Sequence, residues 1–214
     1  MSMKRLSATE ALSRIGVLLV LCVLAVLASC SKDTEVPDEY DNWEERNTTY
    51  FHHLMDSVNT LLAHDAQRTD WRVIKAWTKP ADKQGAAEDY IIVNVLPKDE
   101  NLEVEEALKG IKPIYTDSVD MHYIGRLMPT QTYQEGAVFD RSYYPPLDRQ
   151  IVKASRMAVN NLVIGVGTAL MNMTGGDHWM VYIPAALGYG SRDYSGIKGG
   201  SVLVFEITLD DIIR

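Results

Sequence analysis

The sequence predicts an α+β domain, an antiparallel sheet wrapped on one short helix, with a helical extension ahead of it. Three observations carry this expectation. From Ile111 onward the chain alternates with a period of two: Val119, Met121 and Tyr123 against Asp120, His122 and Ile124; Trp179, Val181 and Ile183 against His178, Met180 and Tyr182; Leu203, Phe205, Ile207 and Leu209 against Val204, Glu206 and Thr208. Between the first two of these strands lies a helical stretch at about 167–173, with Ala169, Leu170 and Met173 on one side. Upstream, residues 41–65 place Tyr50, Leu54, Val58 and Leu61, with Phe51, Met55 and Leu62, at three- and four-residue steps, the pattern of an amphipathic helix. A short helix over a sheet of this kind covers one of its faces.

The first 29 residues read as a processing signal rather than fold. Lys4, Arg5 and Arg14 form a basic flank, and Ile15 to Ala28 is an uncharged apolar run, as long as a secretory h-region and short for a membrane span. The run closes on Leu27-Ala28-Ser29-Cys30, which resembles the bacterial lipobox, in which the cysteine becomes the lipidated first residue. The alternatives are a plain signal peptide and an uncleaved anchor. Ser31-Lys32-Asp33 resembles the surface-export signal of some Bacteroidetes lipoproteins. Residues 30–40, polar and interrupted by Pro37, read as a tether.

The helical extension is assigned to residues 41–87. Within it, His52, His53 and His64 are read as surface or boundary histidines, because no convergent thiolate or carboxylate accompanies them and a metal needs such a set. Residues 71–77 have the composition of a strand, and 80–87 break the pattern with Pro, Gly and polar residues. Residues 88–214 are assigned to the main domain. Tyr90 to Leu96 is a β-branched run ended by Pro97, and Asp99 to Gly110 reads as a short acidic helix stopped by its glycine. Asn47-Thr48-Thr49 fits a glycosylation sequon that has little meaning in a bacterial lipoprotein. Gly165-Val166-Gly167 lacks the third glycine of a dinucleotide loop.

Charge and cysteine content narrow the function classes. Of 21 basic and 29 acidic residues, the expected leader of residues 1–29 removes Lys4, Arg5, Arg14 and Glu10, which leaves a net charge of −10 on the remainder. Such a surface argues against nucleic acid, which demands a basic footprint, and against electrostatic adhesion to anionic lipid. The expected membrane link is the acyl anchor alone. Cys22 lies in the leader and Cys30 at the lipid site, so no disulfide is expected and an ordinary core must supply the stability.

Short motifs then go beyond the period-two pattern. Val119-Asp120-Met121-His122-Tyr123-Ile124-Gly125-Arg126-Leu127 is similar to the strand V-x-V-H-Y-x-G-x-L. Phe139-Asp140-Arg141-Ser142 is similar to F-D-S-S, and Leu162-Val163-Ile164-Gly165 to V-I-x-G. Ala169-Leu170-Met171-Asn172-Met173 with Gly175-Gly176 matches A-L-x-x-M-x-x-G. Ile183-Pro184-Ala185-Ala186-Leu187-Gly188-Tyr189-Gly190 matches I-P-x-x-L-A-Y-G, and Ser201-Val202-Leu203-Val204-Phe205-Glu206-Ile207 matches S-x-L-x-F-x-V. In this order and spacing, residues 111–214 resemble the FKBP-type peptidyl-prolyl cis-trans isomerases.

The resemblance implies an FKBP-like fold and isomerisation of X-Pro bonds in proline-containing polypeptides, with no cofactor and no metal. By the same resemblance Tyr123, Phe139, Asp140, Tyr189 and Phe205 are the catalytic pocket, and Val163, Val166 and Ile197 contact the substrate. The chain departs from the family in three places. Val166 stands where the family has the tryptophan of the pocket floor, and its small side chain leaves a floor that is either deeper or collapsed. Ile197-Lys198-Gly199-Gly200 replaces I-P-P, which implies a looser rim. Residues 150–158 lack the expected Phe-rich strand, with Ser155 and Met157 where aromatics are common. These departures point to reduced activity, or to a peptide-binding lipoprotein on the same fold. The N-terminal helix suits a homodimer contact or docking arm and equally suits packing on its own domain. The lipid site is checked directly: Cys30→Ala is expected to abolish incorporation of radiolabelled palmitate, and unchanged labelling contradicts the attachment.

Overall fold

The computed structural model describes residues 38–99, 102, 104–105 and 109–214. The leader at 1–29, Cys30 and the tether as far as residue 37 lie outside them. The first described element is helix α1, Trp43–His64. Its acidic first turn, Glu44 and Glu45, suits the positive end of the helix dipole. The buried seam of α1 is Trp43, Asn47, Phe51, Met55 and Val58. Of the apolar residues expected on it, Leu61 is exposed and Tyr50 and Leu54 are only half-buried. The seam thus includes a polar residue that an apolar count passes over.

Seven strands follow: β1 (Trp71–Lys75), β2 (Tyr90–Leu96), β3 (Ser118–Leu127), β4 (Val138–Arg141), β5 (Ser155–Ala158), β6 (His178–Ile183) and β7 (Leu203–Ile213). All pairings are antiparallel, in the order β1-β2-β6-β7-β3-β4. β5 shares the outer edge of β3 with β4: it pairs with Ser118–Met121, whereas β4 pairs with Ile124–Arg126. A strand therefore forms at 155–158 without the aromatics expected there, because backbone pairing with β3 supplies what side chains do not.

The boundary drawn at residue 88 does not divide this structure. β1 lies within the stretch assigned to the extension, yet it pairs along its whole length with β2, Trp71↔Asn94 to Lys75↔Tyr90. Glu39–Arg214 is one compact unit. The expected acidic helix at 99–110 falls largely outside the described residues. Leu102, Val104 and Glu105 within it are not helical, and Gly110 has φ +76°, the left-handed value typical of a helix stop.

Helix α2 spans Ile164–Leu170, earlier than periodicity suggests. Its two glycines disfavour a helix on propensity, but packing overrides that. A methyl group on Gly165 would sit 2.3 Å from Ile183 Cγ2, so the glycine lets the helix backbone lie directly on β6. The turn closes where Met173 N–H reaches back to the carbonyls of Ala169 and Leu170.

The two helices cover opposite faces of the sheet. Ile91 and Val93 of β2, Trp179, Val181 and Ile183 of β6, and Leu203, Phe205 and Ile207 of β7 pack in one core with Ala169 and Leu170 of α2. The residues between them, Ile92, Met180, Tyr182 and Val204, pack in a second core with Phe51, Met55 and Val58 of α1. The expectation of a sheet covered on one face is thus extended: the class remains α+β, but α1 buries the second face at the β1–β2–β6–β7 end. This places α1 on its own domain.

The second face also carries ion pairs further along the sheet. His178 Nε2 lies 3.1 Å from Glu206 Oε1, and Arg126 Nη1 lies 3.5 Å from Glu206 Oε2. The hydrogen bond to Glu206 raises the His178 pKa above its ordinary 6.5, and the same bond with nearby Arg126 lowers Glu206 below 4.5. A raised histidine pKa stabilises the fold fully below about 6.5, and that stabilisation fades as pH climbs through the folded value. A lowered carboxylate pKa stabilises above about 4.5 and fades as pH falls through the folded value. The pair therefore supports the fold most between these limits. Glu206→Gln is expected to lower Tm more at a pH of about 5.5 than at about 8.5, read by thermal denaturation across pH.

Candidate peptide-binding and active site

The site is built on one cross-strand row. Gly125 of β3 lies opposite Asp140 of β4 on one side and Phe205 of β7 on the other. A Cβ at Gly125 would be 2.7 Å from Phe139 Cζ and 2.8 Å from Phe205 Cε1. The absent side chain is what allows the two rings to meet above the strand, edge to face with centroids 5.5 Å apart. Tyr123, two residues back on the same face of β3, lies 6.3 Å from the Phe205 ring. Tyr123 and Phe205 are buried, and Phe139 is half-buried.

Tyr123 donates its phenolic hydrogen to Asp140 Oδ2 at 2.9 Å, while Asp140 Oδ1 accepts the Arg141 backbone N–H at 2.8 Å. The exposed carboxylate therefore both accepts the next residue's N–H and orients the phenol. Burial and the Asp140 bond push the Tyr123 pKa up to about 12, which keeps it a proton donor at neutral pH. Ser142, the last residue of the Phe139–Ser142 string, accepts the Tyr123 N–H through Oγ at 2.8 Å and donates its own N–H to the Tyr123 carbonyl at 2.9 Å. It locks the backbone beneath the ring. Sequence reasoning quoted Ser142 within a motif without seeing this function, because only the β3–β4 pairing brings the two residues together.

Tyr189 follows the short 3-10 turn Ala185–Leu187. Its ring stacks on Tyr194, centroids 4.5 Å apart and 15° from parallel. Burial raises its pKa, with further contributions from Tyr194 and the Asp140 charge, and Tyr189 in turn contributes to the shift of Tyr123. The Tyr189 hydroxyl thus shares a local field with Tyr123 and Asp140. Among the described residues no hydrogen bond engages that hydroxyl. The stacking partner Tyr194 belongs to none of the recognised strings, so pattern reading passed it by.

The remaining expected residues line the same apolar core. Val163 caps the N-terminal end of α2 and is half-buried against it, and Ile197 is 5% exposed within it. Val166 is only 2% exposed. Its side chain packs among the other buried residues of the core that includes α2. The rim loop, expected to be loose, is closed by a turn. Tyr194 and Ile197 exchange two backbone hydrogen bonds, at 2.9 and 2.8 Å, across a turn with Ser195 and Gly196 at positive φ. Gly199 and Gly200 serve close packing: a Cβ on Gly199 would meet Ser191 O at 2.3 Å, and one on Gly200, with φ +77°, would meet Glu44 Cβ at 2.7 Å.

Two aromatic walls, the Tyr123–Asp140 pair and the Tyr189 phenol therefore form one cluster of apolar and polar side chains. Comparison with known proteins names the class. Residues 109–210 match the family model described as FKBP-type peptidyl-prolyl cis-trans isomerase. The chain is 32% identical over 116 residues to "Outer membrane protein MIP" of Legionella longbeachae, covering 54% of this chain and 45% of that protein. It is 35% identical over 107 residues to "FK506-binding protein 2" of Aspergillus oryzae, covering 50% of this chain and 71% of that one. The crystal structure of FkpA from Escherichia coli superposes with a TM-score of 0.52 at 18% identity, over 99% of this chain and 75% of that one, a likeness of fold. The chain spans about half the length of several curated relatives that it matches. It belongs to the FKBP-type peptidyl-prolyl cis-trans isomerase family.

Gly125→Ala is expected to force the two phenylalanine rings apart and to destabilise the fold by about 1–3 kcal/mol, the range for overpacking a filled site. Thermal denaturation against Gly165→Ala, the corresponding insertion under Ile183, measures it.

Proposed function

We propose that the protein is a peptidyl-prolyl cis-trans isomerase acting on X-Pro bonds of exported proteins, held at the cell envelope by lipid on Cys30. The observation that carries the reading is the convergence, beside the Phe139 and Phe205 walls, of the Tyr123–Asp140 pair and the unengaged hydroxyl of Tyr189.

Rotation about an X-Pro bond faces a barrier of roughly 18–20 kcal/mol, set by amide resonance. No nucleophile or redox group is needed to lower it. The protein must bind the twisted amide better than the planar one, and each 1.36 kcal/mol of that preference is tenfold in rate. In the proposed mechanism the proline ring rests against Phe139 and Phe205. Tyr189 donates a hydrogen bond to a substrate carbonyl, which holds the peptide while the amide turns. Tyr123 and Asp140 form the polar side of the cleft, on which the less conjugated amide is received. Val163 and Ile197 are the apolar rim, and Val166 is the floor.

Exchange NMR on a proline-containing peptide tests the activity, with the full chain in mild detergent. Accelerated cis/trans exchange is expected, and Tyr189→Phe or Asp140→Ala is expected to reduce it at least about tenfold with Tm little changed. No acceleration at high protein concentration overturns the reading.

Val166 favours a second reading, a peptide-binding lipoprotein with weak isomerisation, since the floor lacks the family's indole. That reading expects suppression of client aggregation without cis/trans exchange. It also expects Val166→Trp to raise the exchange rate even though overpacking lowers Tm.

A further inference from the structure

Asn47 stands in a sequon yet is fully buried, and both ends of its amide are used inside the protein. Its Nδ2 donates to the Trp43 carbonyl at 2.7 Å, one turn back on α1. Its Oδ1 accepts the backbone N–H of Val202 at 2.7 Å, 155 residues away at the end of the rim loop. The indole N–H of Trp43 donates to Ser201 Oγ at 2.8 Å. The Ser201 hydroxyl passes its own hydrogen on to the carbonyl of Lys198, the residue after Ile197. Trp43, Asn47, Ser201 and Val202 are each less than 5% exposed. A buried chain of hydrogen bonds therefore runs from the first turns of α1 into the loop that carries two pocket positions, Tyr189 at its start and Ile197 near its end.

The attachment is concentrated at this point. Beyond it, α1 and the loop face each other across a cavity of about 350 Å³ lined by Thr48, His52, Pro184, Ala185 and Ser191 among others. Within the loop the constraint is passed on by hydrogen bonds: Gly200 N–H to the Gly190 carbonyl at 2.9 Å, Gly199 N–H to the Asp193 side-chain Oδ1 at 2.9 Å, and the two-way backbone pair of Tyr194 and Ile197. Tyr194 is the residue on which the Tyr189 ring stacks. Gly200 can lie against Glu44 of α1 only because it has no side chain. In place of a rigid proline pair in the loop itself, the chain anchors a glycine-containing loop from outside.

We infer that Trp43 and Asn47 are positioning residues for the substrate-binding rim: α1 fixes the loop 189–202 and thereby sets Tyr189 and Ile197 for the peptide. The inference rests on the isomerase reading for its kinetic consequence, and on the structure alone for its mechanical one. Anchoring sets where the peptide is held rather than the chemistry of amide rotation, so its loss falls on KM more than on kcat.

The experiment compares wild type, Trp43→Phe, which keeps a ring and loses the N–H, and Asn47→Ala, each as the full chain in mild detergent. Two readouts are taken: hydrogen–deuterium exchange by mass spectrometry, and kcat and KM on a proline peptide. Exchange is expected to accelerate over residues 189–202 while β3, 118–127, keeps its protection. KM is expected to rise about five- to tenfold, equivalent to about 1 to 1.4 kcal/mol, with kcat changed less than about twofold. Unchanged exchange at 189–202 in both variants overturns the inference. So does a loss of protection spread equally over β3, which marks the two residues as merely structural. An inactive wild type sinks the isomerase reading instead, and exchange in the loop still decides whether α1 positions it.

Discussion

The pairing of β3 with β7 is the constraint on which the site depends. Ten cross-strand partners run from Ser118↔Ile213 to Leu127↔Leu203, and they set Gly125 against Phe205 and Tyr123 against Ile207. A slip of β7 by one residue against β3 would put Tyr123 and Phe205 on opposite faces of the sheet and part them. The register is held because both faces are buried. Phe205, Ile207 and Leu209 belong to the core under α2, while Val204 belongs to the core under α1. The one irregularity lies between Asp120 and Met121, where the partner jumps from Asp211 to Leu209. Asp210, left without a partner in the ladder, instead accepts a hydrogen bond from Arg149 at 2.6 Å and lies 2.9 Å from His122 Nδ1. The bulge thus absorbs an odd residue without disturbing the row that carries the aromatic walls.

Burying the second face has a consequence for the site. A sheet with one solvated face can hold its outer loops only from within the sheet. Here α1 lies across that face, and its first turns reach past the sheet edge to Ser201 and Val202, where β7 begins. The helix that completes the hydrophobic core is therefore also the support of the rim loop. Core packing and site geometry are coupled through one buried asparagine, whose unpaired amide would be costly in an apolar interior.

The pocket itself combines tight packing with one unengaged donor. Gly125 and Ser142 fix the positions of Phe139, Phe205 and Tyr123 by close packing and a backbone hydrogen bond. Preorganisation of this kind is the means by which a site without covalent chemistry can favour a twisted amide. Val166 fits the same pattern of close packing, buried in place of a larger ring.

Much of the fold was legible in the sequence because period-two alternation and short motifs are local. β2, β3, β6 and β7 were readable from it, as was α1, and the strings that carry Tyr123, Phe139, Asp140, Tyr189 and Phe205 keep their order along the chain. What could not be read depends on contacts between distant segments. β1 belongs to the sheet because it pairs with β2, and β5 exists because β3 offers an edge. α2 begins at Ile164 because Gly165 fits Ile183. Asn47 was legible only as part of a sequon, since nothing in its neighbourhood indicates Val202 as a partner 155 residues on. Local pattern thus determined most of the elements. Tertiary structure alone decided which faces are buried, how the loop at 189–202 is held and how deeply Val166 is buried, because hydrogen bonds and packing between segments far apart in the chain leave no periodic trace within either one.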